Sequence, residues 1–180
     1  MQKVLSALLL LFLVLGQASF TPPPGEKVKL NWLSFEEAEA MLLKKNKPVL
    51  IDLYTDWCGW CKVMDQKTYA KPKVIEYLNE KFYVIRFNAE SKTPVKWKGK
   101  TYQFNPNYRT HQLAFELSNG ELSYPNTIFI AEAGKDQSPQ SIAGFLEPKE
   151  MEMLARYFAE GHYGKTAFND YAKSFKPTWK

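Results

Sequence analysis

Short apolar runs alternate with amphipathic stretches along most of the chain. The run at 49–54 is rich in β-forming residues and predicts a buried strand. Similar stretches at 82–88, at 127–131 and around 141–143 predict three more strands. Because predicted helices separate several of these strands, the order of elements is typical of the α/β class.

The amphipathic stretches predict helices with recognisable ends. Ser34, followed three residues later by Glu37, forms a capping box and begins a helix that runs to about residue 45. A second helix follows from Cys58 to about residue 67 and is broken before Pro72. Further helices are predicted after Pro72, over 110–117, over 148–159 and, as one short packed helix, around 168–175.

The connection between the strands at 82–88 and 127–131 is longer than an ordinary loop. Alternating residues around Gly99, at 95–104, predict a β-hairpin within it. Four lysines interleave with aromatic residues here, and we interpret them as the solvated face of the hairpin rather than a nucleic-acid or lipid site. They are Lys92, Lys96, Lys98 and Lys100.

The first residues predict a secretory signal rather than part of the fold. Lys3 precedes an almost unbroken apolar run at 4–15, and small residues follow as far as Ala18. This pattern indicates a signal peptide at 1–18 with cleavage after Ala18. The apolar run is too short to span a bilayer, so a stable membrane anchor is the weaker alternative.

Composition and charge are those of one globular domain. The proline-rich stretch at 19–30 predicts a linker, and 31–180 a single domain with an insertion at about 91–120. The net charge of +5 is a mild surplus and does not indicate a nucleic-acid partner. Export would place the chain where disulfides persist, but two cysteines are too few for a disulfide scaffold.

Those cysteines, Cys58 and Cys61, directly follow the predicted strand at 49–54. A strand that passes straight into a helix places Cys58 at the helix N-terminus, where unpaired N–H groups and the helix dipole stabilise a thiolate. Cys61 lies one turn further on the same face, within reach of a disulfide. The spacing suits a reversible disulfide. A static disulfide, or a zinc site with His111 and His162, is a weaker alternative.

Asp52 lies in the middle of the apolar run. Strand alternation places Leu50, Asp52 and Tyr54 on one face, so we expect the carboxyl to be desolvated and its pKa raised. Such a group can carry a proton for Cys61, whereas an exposed acid at a sheet edge is the alternative. Arg86 falls on the neighbouring predicted strand.

The segment 49–62 resembles the active-site segment of the thioredoxin superfamily, and the chain resembles secreted bacterial thioredoxin-like (thiol:disulfide interchange) proteins. Asp52 stands where thioredoxins carry a buried acid. Tyr124 and Pro125, followed by a strand, resemble the loop whose cis-proline faces the cysteines. The likeness covers about 35–161.

The resemblance implies a thioredoxin-like fold, with a central mixed sheet of four or five strands, helices on both faces, and a hairpin-containing insertion before the cis-proline strand. It implies thiol–disulfide exchange in which Cys58 attacks and Cys61, helped by Asp52, resolves the mixed disulfide. No organic cofactor is implied beyond the redox-active pair. The expected partners are exported protein thiols and disulfides, and a redox protein that resets the pair, in the periplasm.

The resemblance also suggests which residues meet a substrate. Trp57, Trp60 and Tyr124 would contact it beside a cis Pro125, with core packing as the alternative for Trp60. Arg86 stands where thioredoxins carry a lysine that tunes the buried acid, although arginine does not lose its proton. Reducing members usually have proline at the position of Trp60. A reductase is expected, and an oxidant, an isomerase or a non-catalytic binding module remains an alternative.

Overall fold

The computed structural model describes residues 28–179, so the predicted signal peptide at 1–18 and most of the predicted linker at 19–30 lie outside the described residues. In chain order the elements are β1 (Trp32–Leu33), α1 (Phe35–Leu42), β2 (Val49–Tyr54), α2 (Gly59–Met64), a π-helical segment (Asp65–Tyr69), α3 (Pro72–Lys81), β3 (Tyr83–Asn88), β4 (Val95–Trp97), β5 (Lys100–Tyr102), β6 (Phe104–Asn105), β7 (Thr110–His111), α4 (Gln112–Leu117), β8 (Asn126–Ile130), β9 (Gln140–Ala143), α5 (Pro148–Ala159) and α6 (Phe168–Ser174). None of the helices in this part of the chain is long and apolar enough to cross a membrane.

The central sheet has five strands in the order β1-β3-β2-β8-β9. Strands β1, β3 and β2 run parallel to one another, whereas β8 runs antiparallel to both β2 and β9. The mixed sheet agrees with the predicted fold, and the apolar run that forms β2 lies at its centre. The cysteine segment directly follows β2, so it begins at the end of the central strand of the sheet.

The two faces of β2 enter two separate hydrophobic cores. Leu50 packs on the face covered by α3, α5 and α6, while Ile51 and Leu53 pack on the face covered by α1, α4 and the β4–β5 hairpin. This alternation confirms the predicted assignment of side chains to faces. Helices therefore cover both faces of the sheet, which allows its central strands β2 and β8 to be buried along almost their whole length.

Some helix ends are determined by local sequence signals, and others are determined by tertiary contacts. The Ser34–Glu37 capping box is present, and α5 begins at Pro148 as predicted. The first helix ends at Leu42 rather than near residue 45, because the next apolar residue, Leu43, is 91% exposed and has no core to pack against. Helix α4 begins later than predicted, since Thr110 and the following residue pair with β6.

The insertion before β8 contains the predicted hairpin. Strands β4 and β5 pair in antiparallel register around a two-residue turn, Lys98 and Gly99, which both have positive φ angles of 49° and 75°. That geometry matches the tight hairpin turn that an Xaa-Gly pair favours. Trp97 and Tyr102 point into the core beside α1 and α4, and the four lysines of the stretch are exposed as predicted.

The segment 176–179 is held against α5 by one buried acid. Glu152 has no exposed surface, and its carboxylate accepts hydrogen bonds from the backbone N–H groups of Thr178 and Trp179, both at 2.7 Å. The Arg156 Nε atom also donates to Glu152, at 3.1 Å. The indole of Trp179 lies 5.2 Å from the ring of Tyr77 on α3, so this segment joins α3 to α5.

Candidate active site

The two cysteines form a disulfide at the start of α2. Cys58 is the N-cap residue, its Cα atom lies 5.3 Å from that of Cys61, and the Cys61 backbone N–H donates to Cys58 Sγ at 3.0 Å. This places Cys58 at the end of the helix where a backbone donor can stabilise a sulfur anion. The two residues are only 4% and 3% exposed, so the disulfide is largely shielded from solvent.

Asp52 is buried on β2, the strand that leads into the cysteine segment, with 2% of its surface exposed. It lies opposite Arg86 on β3 and opposite Thr127 on β8. Burial raises the pKa of the carboxyl from 3.8 to about 7, and the negative charge of Asp65 adds to the rise. Arg86 and the hydroxyl of Tyr69, which donates to Asp52 Oδ1 at 3.4 Å, oppose it. The predicted desolvation is confirmed, and the alternative of an exposed edge acid is wrong.

Arg86 contacts Asp52 but binds a second acid more closely. Its Nε atom lies 3.6 Å from Asp52 Oδ2, whereas Nη1 and Nη2 donate to the two carboxylate oxygens of Asp65 at 2.7 and 2.8 Å. The guanidinium also lies over the ring of Tyr54, 4.5 Å from its centroid. The sequence predicted Arg86 beside the acid but missed Asp65, although its position one turn after Cys61 was a usable signal.

Exposed aromatic residues next to the two cysteines form a rim beside the disulfide. Trp57 and Trp60 are 66% and 63% exposed, so the alternative of core packing for Trp60 is wrong. The Trp57 ring lies 5.8 Å from that of Tyr124, and its Nε1 atom donates to Glu90 at 3.0 Å. The Tyr124–Pro125 peptide is cis, as the resemblance implied, and Pro125 is buried. The rim combines apolar surface with polar groups, as docking surfaces for polypeptides do.

The two histidines lie apart from the disulfide chemistry. His111 is buried, and its Nδ1 atom accepts from the Leu113 N–H at 3.2 Å, so it caps α4. Burial lowers the pKa of His111. His162 lies against Tyr171 instead. Within residues 28–179, no cluster of His, Cys, Asp or Glu side chains could hold a metal ion.

The insertion contains a cavity that the sequence did not predict. Its volume is about 680 Å³, and it opens between β5, β7 and α4. One wall carries a charged group of three residues, in which Glu116 accepts hydrogen bonds from Lys100 Nζ at 2.8 Å and from the Tyr102 hydroxyl at 2.7 Å. Phe115, half exposed, supplies apolar surface. The cavity is built from the insertion alone, so the hydrophobic pattern of the chain gave no signal for it.

The thioredoxin-like domain family matches residues 35–159, and the chain belongs to this family. It is similar to the thiol:disulfide interchange protein DsbD of Pseudoalteromonas atlantica, with 26% identity over 134 residues, which cover 74% of this chain and 20% of that protein. It is also similar to the chloroplastic thioredoxin Y of Oryza sativa, with 32% identity over 69 residues, which cover 38% of this chain and 39% of that one. The chain thus spans about a fifth of the length of the DsbD relatives that it matches.

Solved structures show the same fold. A thioredoxin-fold protein from Helicobacter pylori superposes with a TM-score of 0.53 at 12% identity, covering 83% of this chain and 89% of that chain. The solution structure of a thioredoxin from Thermus thermophilus gives a TM-score of 0.51 at 17% identity, with 77% and 99% covered. The predicted superfamily and fold are confirmed, and the class of thiol–disulfide oxidoreductases is confirmed at the level of the family.

Proposed function

We propose that this chain is an exported thiol–disulfide oxidoreductase that reduces protein disulfides through Cys58 and Cys61. The observation that carries the proposal is the disulfide at the start of α2, directly after the strand that holds a buried acid whose pKa of about 7 suits proton exchange. The two sulfurs and the carboxyl provide the nucleophile, the resolving thiol and the proton acceptor that exchange requires. The redox-active pair itself is the only cofactor that this chemistry needs.

In the first step the reduced protein forms a mixed disulfide. The Cys58 thiolate attacks one sulfur of the substrate disulfide, a bond forms from Cys58 Sγ to that sulfur, and the other substrate sulfur leaves as a thiolate and takes up a proton. The Cys61 N–H, which donates to Cys58 Sγ at 3.0 Å, stabilises the attacking anion. Trp57, Trp60 and Tyr124 hold the substrate polypeptide against the rim, and the backbone before Pro125 pairs with it as an added strand.

In the second step Cys61 releases the product. Its thiol passes a proton to the Asp52 carboxylate, and the resulting thiolate attacks Cys58 Sγ, so that the bond from Cys58 to the substrate breaks. The substrate gains two electrons and leaves as a dithiol, while the protein gains the Cys58–Cys61 bond. An external dithiol protein must then supply two electrons to reset the pair.

The residues between the cysteines favour the reducing direction. Strong oxidants keep their nucleophilic thiolate unusually stable, which makes their disulfide easy to reduce. Here Gly59 and Trp60 place no charged side chain between the cysteines, and one backbone N–H, that of Cys61, donates to Cys58 Sγ in the described part of the chain. Less stabilisation of the thiolate favours the disulfide form of this protein, and therefore favours reduction of its substrates.

The proposed location and partners follow from the N-terminal sequence and the relatives. A signal at 1–18 would deliver the domain to the periplasm, where exported proteins acquire disulfides. Its substrates would be disulfides of those proteins. The relatives include proteins named for thiol:disulfide interchange, which supports the same class of partner here.

Reduction of insulin in the presence of dithiothreitol tests this proposal. The parent protein is expected to reduce insulin faster than dithiothreitol alone, and Cys58→Ser to abolish the effect. Cys61→Ser is expected to retain substrates as mixed disulfides on Cys58, because the resolving thiol is gone. A rate equal to that of dithiothreitol alone, with both cysteines confirmed as reducible, contradicts the proposal.

A non-catalytic binding module is the second candidate, and the cavity of about 680 Å³ in the insertion favours it. In that case the cavity and the exposed Trp60 would form the functional surface, and the disulfide would be structural. The insulin assay separates the two candidates, because a binding module would give no turnover while remaining folded.

A further inference from the structure

The charged groups around Asp52 form an arrangement that the mechanism above does not use. Arg86 makes two short, parallel hydrogen bonds to Asp65, at 2.7 and 2.8 Å, and only one longer contact to Asp52, at 3.6 Å. We propose that Asp65 is a positioning residue that holds the Arg86 guanidinium off Asp52 and so keeps the buried carboxyl able to take up and release a proton. The consequence for exchange rests on the function proposed above, but the arrangement itself can be tested without it.

The geometry decides which acid holds the guanidinium. Two parallel N–H···O bonds to one carboxylate are stronger and more directional than a single contact. Asp65 is partly exposed, so keeping it charged is easier than keeping the buried Asp52 charged. Arg86 therefore binds Asp65 in preference to Asp52, and the Tyr54 ring, whose centroid lies 4.5 Å from the guanidinium, adds a cation–π contact that favours the observed position.

The same helical turn supplies both groups that act on Asp52 from the helix side. Asp65 begins the π-helical segment and Tyr69 ends it, and the Tyr69 hydroxyl reaches Asp52 Oδ1 at 3.4 Å. A π-helical turn shifts the side chains that follow it around the helix axis, and such turns are frequent at functional sites. The segment follows the cysteine helix without interruption, so the disulfide and the groups that control its proton acceptor are built on one continuous element.

The other groups packed around Asp52 do not compete with this assignment. From β3 the facing group is Arg86 and from β8 it is the uncharged Thr127, while the cysteine pair of α2 carries no titrating group when oxidised. The charged or titratable groups that act on Asp52 in the oxidised protein are thus Arg86, Asp65 and Tyr69. Removing Asp65 leaves the arginine free to turn toward Asp52, where a closer positive charge favours the ionised carboxyl.

Direct titration of the Asp52 carboxyl in the oxidised protein tests the proposal. Carboxyl carbon NMR, with the signal assigned by its loss in Asp52→Asn, is expected to give a midpoint of about 7 in the parent. In Asp65→Ala the midpoint is expected to fall by about one pH unit or more, whereas Arg86→Ala is expected to raise it. Asp65→Asn provides the same comparison at nearly constant volume if the alanine variant does not fold.

Rescue and control variants separate positioning from a structural effect. Asp65→Glu keeps a carboxylate for Arg86 and is expected to restore the parent midpoint. Glu160→Ala also removes an acid bound to an arginine, since Arg156 Nη1 donates to Glu160 at 2.7 Å, but it does not act on Asp52 and is expected to leave the midpoint unchanged. An unchanged midpoint in both folded Asp65→Ala and Asp65→Asn overturns the proposal.

The rate of mixed-disulfide resolution against pH supplies the second readout. In Asp65→Ala the resolution rate is expected to rise at a lower pH than in the parent, and this shift should equal the shift of the NMR midpoint. The maximal rate at high pH is also expected to be lower, because a weaker base accepts the proton. If the protein shows no exchange activity but the NMR midpoint still moves, the positioning role stands and the proposed function fails. If exchange occurs and neither midpoint moves, the positioning role alone fails.

Discussion

Burying Asp52 in the centre of the sheet opposes folding whenever the carboxyl is charged. Arg86 offsets this only in part, because its stronger hydrogen bonds are to Asp65. In Asp52→Asn the guanidinium keeps Asp65 as a partner, so the substitution leaves no unpaired charge. We therefore expect Asp52→Asn to raise the free energy of unfolding at neutral pH by about 1–3 kcal/mol, and to slow the resolution of mixed disulfides.

The raised pKa of Asp52 determines how the stability of the protein changes with pH. The pKa of Asp52 is raised in the folded protein to about 7 from 3.8, so the folded state favours the protonated acid. Its contribution to stability is present below the unfolded pKa and is lost as the pH rises toward 7. Urea unfolding at several pH values checks this, because the stability difference between Asp52→Asn and the parent should grow over that interval. A difference that does not change with pH contradicts the buried-acid assignment.

Among single residues, the sequence predicted those that lie within the apolar run at 49–54 or in the cysteine motif that follows it. Cys58, Cys61 and Asp52 follow from one apolar run and the motif after it. Asp65 and Tyr69 did not follow, because their roles depend on which side chains meet across the sheet. Their significance required the structure, although both lie on the helix that the cysteine motif begins.

At the scale of elements, α5 joins the sheet to the segment 176–179 through Glu152. Burial alone would raise the pKa of Glu152, but hydrogen bonds from Thr178, Trp179 and Arg156 outweigh it, and the pKa lies below its ordinary value. Glu152→Gln replaces the charged acceptor by an amide that cannot satisfy all these donors. We expect it to lower the free energy of unfolding at neutral pH by about 2–4 kcal/mol.

The loss of unfolding free energy in Glu152→Gln should become smaller as the pH falls. A lowered folded pKa gives stability that is present above the unfolded pKa and is lost as the pH falls through the folded pKa. Urea unfolding of the variant at neutral and acid pH measures the effect. Glu76→Gln on α3, an exposed acid paired with Lys73, is the control and should change stability by less than about 0.5 kcal/mol. An equally small change in Glu152→Gln would show that the segment 176–179 is not held by this acid.

Elements defined by local signals were predicted with nearly the right bounds. Strand β2 and helix α5 agree with the sequence because an apolar run, a proline in the first helical turn and helical periodicity are all local signals. The end of α1 and the start of α4 differ, since the first depends on where the core ends and the second on pairing of β7 with β6. The π-helical turn has no comparable sequence signal and was not predicted.

In the whole molecule, the topology of the sheet determines where the disulfide lies. The apolar run forms the central strand, its end places Cys58 at a helix N-terminus, and Trp57 beside Cys58 contacts Tyr124, which precedes the cis Pro125. The hydrophobic pattern predicted the strand and the start of the helix, and the resemblance predicted the cis proline. The cavity in the insertion could not be predicted, because it depends on how β5, β7 and α4 pack together.

Equilibration of the Cys58–Cys61 pair with dithiothreitol and glutathione buffers measures whether the pair is redox-active and whether its reduction potential is that of a reductase. The fraction reduced is read from the mass added by alkylation, and Cys58→Ser provides the reference for a single thiol. We expect a reversible two-electron transition with a midpoint nearer the thioredoxin value of about −270 mV than the strong-oxidant value of about −120 mV. A pair that stays oxidised across the whole buffer range would be structural. A midpoint near the strong-oxidant value would contradict the reducing direction.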